Sequence, residues 1–270
     1  MARLPVLFVT HGAGPMMFLE SSTRQGPNNF DKNSPAAKWF RQLYSQLSLN
    51  RPPKAILLIS AHWETTEAVH ISAQSQHSKL FYDYYNFPPE AYEIEFTPAG
   101  HPELAERVKS LLEHDSIPCK LDAERNLDHG VFIPLKLTFP KADIPVVSMS
   151  ILSSLSPAQH LLIGKALVPL RNENVLIIGS GSTIHGSKGG PGQSDQFVDA
   201  LTRALTECDA HERENILLNW EQMLPYARAN HPREEHLIPL HVVVGAAGTD
   251  RGQICNPSVP KLQAAYQFGS

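Results

Sequence analysis

The sequence predicts an α/β fold: a single domain with a mostly parallel central sheet flanked by helices, and a metal site at the carboxyl ends of the strands. Three observations carry this. Short apolar runs rich in Val, Ile and Leu alternate with helical patterns, which implies parallel strands covered on both faces. Several of these runs end at or shortly before a histidine. No repeat, low-complexity tract or linker divides the 270 residues, so 1–270 reads as one domain.

The elements follow in order. Leu4–Thr10 reads as the first strand. Met16–Asp31 is polar, carries Gly26-Pro27-Asn28-Asn29, and reads as a loop. Ser34–Leu47 reads as a helix, with Ser34 as N-cap and Pro35 at the first helical position. Ala55–Ser60 is the second strand. Phe81–Phe87 holds five of the chain's eighteen Phe and Tyr residues, and fits either a wall for a flat ligand or a satellite packing cluster. His101–His114 repeats the capped-helix logic with Pro102. Val146–Ile151 and Val175–Gly179 are further strands, and Pro157–Leu170 between them is a helix after Ser156. Gly186–Gly192 is a glycine-rich loop. Gln196–Cys208 and Glu212–Met223 read as amphipathic helices. Leu237–Ala247 is apolar nearly all round, a buried helix or strand.

Composition narrows the function. A formal charge of -4 offers no footprint for nucleic acid or an anionic membrane. No apolar run approaches a membrane span, and Met1-Ala2-Arg3-Leu4-Pro5 shows no secretory pattern, so a cytoplasmic location is the expectation. Cys119, Cys208 and Cys255 are odd in number and widely spaced. They fit neither a disulfide framework nor a zinc–thiolate site, so a metal here rests on nitrogen and oxygen donors.

Five of the thirteen histidines share one context: His11, His62, His129, His185 and His236 each end or open an apolar run, beside Gly, Pro, Ser or Trp. A lone strand-end histidine fits a satisfied polar residue. Three such cases, at His11, His62 and His185, point to a shared crevice, and imidazole is the commonest ligand for transition metals. Glu64, Glu234 and Glu235 lie near these histidines, with Glu235 suited to ligate or to orient His236, and Asp128 suited to orient His129. Gly179-Ser180-Gly181-Ser182 lacks the lysine and spacing of a phosphate loop, and no Gly-x-Ser-x-Gly elbow occurs. A histidine or histidine–carboxylate set suits Fe(II), Mn(II) or Zn(II).

The ordered motifs form a combined signal. They are Thr10-His11-Gly12, Ser60-Ala61-His62-Trp63, Phe81-Tyr82-Asp83-Tyr84-Tyr85-Asn86-Phe87-Pro88, Leu127-Asp128-His129-Gly130, Ala142-Asp143-Ile144-Pro145-Val146, Gly179 to His185, and His231 to His241. In this order and spacing, across nearly the whole chain, they resemble the class III extradiol ring-cleaving dioxygenases, in particular their DOPA 4,5-dioxygenase-like branch. The resemblance implies a single α/β catalytic domain and one divalent metal per chain. His11, His62 and His236 match ligand positions. His185 matches a position that closes the coordination sphere or acts as base, and His129 one that assists proton transfer. The wider family uses a carboxylate as third ligand, a role open to Glu235 but here favouring His236. Relatives follow the histidine matching His185 with Asn; this chain has Gly186-Ser187. The implied partners are a small aromatic diol and O2. Fe(II) suits that redox chemistry, while Zn(II), associated with this branch, is redox-inert. Two other readings stay open: a zinc-dependent hydrolase on the same cage, and a non-catalytic metal-binding adaptor like Memo. Retention of both His129 and His185 favours an enzyme.

Overall fold

The computed structural model describes residues 3–20, 30–47, 49, 51–186 and 190–270. Much of the expected loop Met16–Asp31, and residues 187–189 of Gly186–Gly192, lie outside the described residues. Among the described residues eight strands form one sheet: β1 Val6–Thr10, β2 Ala55–Thr65, β3 Val69–Ser72, β4 Cys119–Asp122, β5 Val146–Leu152, β6 Val175–Gly181, β7 Gly252–Ile254 and β8 Tyr266–Phe268. Their order is β4-β3-β5-β2-β6-β1-β8-β7. The central neighbours β5-β2-β6-β1 pair in parallel, while β8 joins β1, and β7 joins β8, in antiparallel fashion. The expected α/β class and mostly parallel sheet are what is observed.

Alternation along the buried strands sorts side chains to two faces. Val6, Phe8, Leu57, Ile59, Val175 and Ile177 enter one core; Leu7, Val9, Ile56, Leu58, Leu176 and Ile178 enter the other. The helices are α1 Pro35–Gln46, α2 Pro102–His114, α3 His129–Thr138, α4 Pro157–Ala166, α5 Gln193–Thr206, α6 Ala210–Leu218, α7 Trp220–Met223, α8 Ala227–Asn230 and α9 Ile238–Ala247. Residues of α1 and α3 cover the second face, and residues of α2, α4, α5 and α9 the first.

Several elements differ from the sequence reading for local reasons. The expected helix Pro157–Leu170 stops at Ala166, because Pro169 has no N–H to continue it. Glu212–Met223 is two helices broken at Asn219, whose side-chain amide returns to the Asn215 carbonyl at 3.0 Å. The break delivers Trp220 into the core. Leu237–Ala247 is a helix from Ile238, every residue buried; a Cβ at its Gly245 would lie 2.2 Å from the Leu161 carbonyl oxygen, so glycine lets α9 and α4 touch backbone to backbone. Among the described residues no helix is long and apolar enough to cross a membrane.

Histidines away from the strand ends also serve the core. His160 accepts from the Leu152 amide and donates from Nδ1 to the Ser156 carbonyl; His231 and His241 donate from Nε2 to the Thr183 and Leu217 carbonyls. Burial pushes each down to about 4. In the unfolded chain an imidazole titrates at about 6.5. Between these values the unfolded state binds more protons, so stability is full above the upper value and falls as pH drops toward the lower. At pH ~5 each histidine then costs up to about 2 kcal/mol relative to neutral pH. Urea unfolding at the two pH values should show this loss, and replacing His241 by Gln should reduce it. Equal midpoints at both pH values would contradict the assignment.

Candidate metal centre

The strand register gathers the site at one rim of the sheet. Val9 and Thr10 of β1 lie beside Ser180 and Gly181 of β6, and Ser60 of β2 lies beside the same Ser180. His11 follows β1 directly. His62 stands within β2, which runs on to Thr65 rather than ending at Ser60. A register shift between Ile59 and Glu64 re-aims it. Ser60 holds this bulge: its hydroxyl accepts from the His62 amide at 3.1 Å and donates to Asp128 at 2.7 Å. His236 arrives from the turn before α9. Its carbonyl accepts from the Ser182 amide, and a Cβ at Gly181 would lie 2.1 Å from that oxygen, so only glycine at 181 admits His236 so close.

The three imidazoles converge on one point. His11 Nε2 and His62 Nε2 are 3.1 Å apart, and His62 Nε2 and His236 Nε2 are 3.2 Å apart. Donors about 2.1 Å from one ion stand about 3.0 Å apart at a right angle and about 3.4 Å apart at a tetrahedral angle. The observed spacings fall in that interval.

The surrounding hydrogen bonds fix the tautomers of His11 and His236. Ser180 spends its hydroxyl hydrogen on the Gly130 carbonyl, so toward His11 Nδ1, 2.9 Å away, it can only accept. His11 therefore carries its proton on Nδ1 and presents the Nε2 lone pair inward. His236 donates from Nδ1 to Glu235 Oε1 at 2.9 Å, and His62 Nδ1 faces Asp83 Oδ2 at 3.4 Å. Burial, reinforced by neighbouring imidazoles, pushes His11 well below its ordinary value, His62 down to about 4 and His236 down to about 3. The cage is thus neutral at physiological pH, with three lone pairs aimed at one place. This donor set fits a divalent transition-metal ion.

The other two histidines flank the cage through the same two carboxylates. His129, the first residue of α3, donates from Nδ1 to Asp83 Oδ1 at 2.8 Å, and its backbone amide reaches the same oxygen. His185 lies four residues beyond the end of β6, half exposed, with Nδ1 2.8 Å from Glu235 Oε1. It stacks on His236 at 3.6 Å between centroids and forms with Glu235 and His236 a second set of close donors, as His62, Asp83 and His129 form a third; His185 is not in the set of His11, His62 and His236. Burial works against ionisation of both acids, but hydrogen bonds from His129 hold Asp83 below its ordinary value, and those from His185 and His236 hold Glu235 well below the usual carboxylate range. Glu235 stands behind His236, away from the point of convergence.

Other sequence candidates sit elsewhere. Glu64 binds Arg233 through both oxygens and Glu234 binds Arg228. Asp128 is taken by Ser60 and Arg125, so orienting His129 falls to Asp83 instead. Sequence reasoning missed Asp83; its only signal was an acid embedded in the aromatic run. Part of that run packs into the second core, with Tyr84 against Phe87, Tyr92 and Phe132, while Phe81 and Tyr85 are exposed. A cavity of about 280 Å³ opens over the cage, walled by Gly12, Phe30, His129, His185, Leu262 and Gln263 among others. It lies near the lower end of the ligand-pocket range, a size for one aromatic ring.

Comparison with known proteins fits this arrangement. Residues 5–266 match the family model of the catalytic LigB subunit of aromatic ring-opening dioxygenase. The chain belongs to that family. It is 38% identical over 250 residues to a 4,5-DOPA dioxygenase extradiol of Beta vulgaris, covering 89% of this chain and 86% of the relative. It is 33% identical over 263 residues to a 4,5-DOPA dioxygenase extradiol-like protein of Schizosaccharomyces pombe, covering 93% and 87%. The crystal structure of an uncharacterized protein from Escherichia coli K12 superposes with a TM-score of 0.71 at 28% identity, covering 99% of this chain and all of that one. The DOPA-dioxygenase-like branch of the class III extradiol enzymes is thus where this LigB-family member falls, and the family supports a dioxygenase.

Proposed function

We propose that this LigB-family protein is an extradiol dioxygenase that opens the ring of a catechol-type, DOPA-like substrate with O2, with His11, His62 and His236 holding one divalent metal. The observation that carries the reading is the pairing of a neutral three-imidazole cage with two further histidines, each oriented by a carboxylate shared with a cage histidine. A redox-active ion such as Fe(II) would supply the electron path between diol and O2, which redox-inert Zn(II) does not.

The chain's own groups handle protons and position. His129, with its proton on Nδ1 toward Asp83, has a free Nε2 lone pair to accept a hydroxyl proton from the diol. The ionised Asp83 stabilises the imidazolium so formed. His185, held by Glu235 in the same way, is the second group at the cavity wall able to take or return a proton. Leu262, Ile184 and Phe30 give the ring an apolar bed. Both oxygen atoms of O2 enter the product as the ring bond beside the diol breaks, giving a muconic semialdehyde-type product.

The test is anaerobic reconstitution with Fe(II), then oxygen uptake across a panel of catechols. Stoichiometric uptake with a ring-opened product is expected. Metal uptake without oxygen consumption, together with ester or amide hydrolysis by the zinc form, would replace the dioxygenase by a hydrolase.

A further inference from the structure

Arg125 stands outside the cage, in the turn that leads from β4 to α3, and its backbone is fixed from both sides. Its amide donates to Asp122 Oδ1 at 2.8 Å, and its carbonyl accepts from Gln74 Nε2 at 2.7 Å. From this base the side chain reaches three segments that carry site residues. Nη2 donates to the backbone carbonyl of His62 at 3.2 Å and to Asp128 Oδ2 at 2.9 Å. The guanidinium carbon lies over Trp63, 5.2 Å from the ring centre, and over Phe81 at 5.0 Å. Trp63 follows His62, Phe81 precedes Asp83 by two, and Asp128 precedes His129. The polar contacts close around one residue. Asp128 Oδ1 accepts from Ser60, whose hydroxyl accepts from the His62 amide. Arg125 therefore holds the His62 carbonyl directly and the His62 amide through Asp128 and Ser60. The sheet does not do this work, because residues 61–63 lie outside the register of β2 with either neighbouring strand.

We infer that Arg125 is a positioning residue for His62: by gripping both peptide groups of His62 it fixes the direction in which the imidazole presents Nε2 to the ion. The inference rests on the metal centre proposed above, and on neither the substrate nor O2. A guanidinium suits the task, because its plane stacks on aromatic rings while its edge donates to two acceptors. A lysine ammonium keeps the charge but has no plane to stack and no fork to divide. Orienting groups behind a metal ligand are worth about 10–100-fold in metal affinity.

The experiment titrates the metal-free full chain with Co(II), in wild type, Arg125→Ala and Arg125→Lys. Arg125→Ala should bind Co(II) about 10–100-fold more weakly. The visible spectrum of its Co(II) form should change as well, since that spectrum reports the geometry of the donors. Arg125→Lys should fall between the two. Guanidinium chloride at a sub-denaturing concentration should restore part of the affinity of Arg125→Ala by filling the seat over Trp63 and Phe81, and sodium chloride at the same concentration should not. Wild-type affinity and spectrum in Arg125→Ala overturn the inference and leave the metal centre standing. A loss that guanidinium does not restore makes Arg125 a general packing group and overturns it too. If Arg125→Ala does not fold, Arg125→Lys decides: weakened binding supports the inference, while wild-type binding or a second failure to fold overturns it. Failure of the wild type to bind Co(II) overturns both this inference and the metal centre.

Discussion

Replacing His11 by alanine is expected to abolish metal binding and oxygen uptake together. His11 is completely buried, so no mobile side chain or bulk solvent replaces its Nε2. The two remaining imidazoles form a weak chelate. A group that merely orients a ligand is worth about 10–100-fold in metal affinity, and a ligand itself is worth more. Ser180→Ala supplies the graded comparison: it removes the acceptor at His11 Nδ1 but leaves all three donors, so its loss should stay within that range. Metal content after dialysis, followed by oxygen uptake, reads both variants. Stoichiometric metal in His11→Ala would remove His11 from the ligand set and with it the proposed centre.

Replacing His129 by alanine should instead leave metal content near normal and lower turnover about 10²–10⁴-fold, the range for a positioned general acid or base. The distinction follows from geometry. His129 packs on His62 at 4.0 Å between ring centroids, but its Nδ1 is engaged with Asp83 and it does not join the three converging donors. Asp83→Asn should move turnover in the same direction, since an amide can present its NH₂ to His129 and reverse the tautomer that frees Nε2. Because Asp83 also faces His62, that variant should lose some metal affinity, whereas His129→Ala should not. Equal metal loss in the two would place His129 among the ligands.

The four central strands were legible because burial on both faces leaves unbroken apolar runs. The edges were not: Val69–Ser72, Cys119–Asp122, Gly252–Ile254 and Tyr266–Phe268 have only three or four residues each, too few to show a period. Helix α3 was hidden by Pro134 in its interior and by burial of nine of its ten residues, which erases amphipathic contrast. The five histidines stood out because their flanking sequence is local. Asp83 and Ser180 did not, because their roles depend on partners in distant segments: Asp83 and His129 are 46 residues apart, and Ser180 and His11 are 169 apart. Two conspicuous sequence features changed meaning. Gly181, in a run that only failed as a phosphate loop, is clearance for the His236 backbone. Asp128 looked like the orienting acid for its neighbour and instead anchors the bulge that aims His62.

The cage also ties the chain to itself. His11 and His62 are separated by 51 residues, and His62 and His236 by a further 174. An ion held by all three acts as a removable staple, closing two loops that together span most of the polypeptide. Loop closure of that length carries a large entropic weight in the unfolded chain. The staple forms only once β1, β2 and the turn before α9 have met, so it rewards the finished fold and not any partly folded stretch. Under the proposed centre, ion and fold would be thermodynamically linked: the tighter the ion is bound, the more of the molecule's resistance to unfolding would reside in three nitrogen atoms.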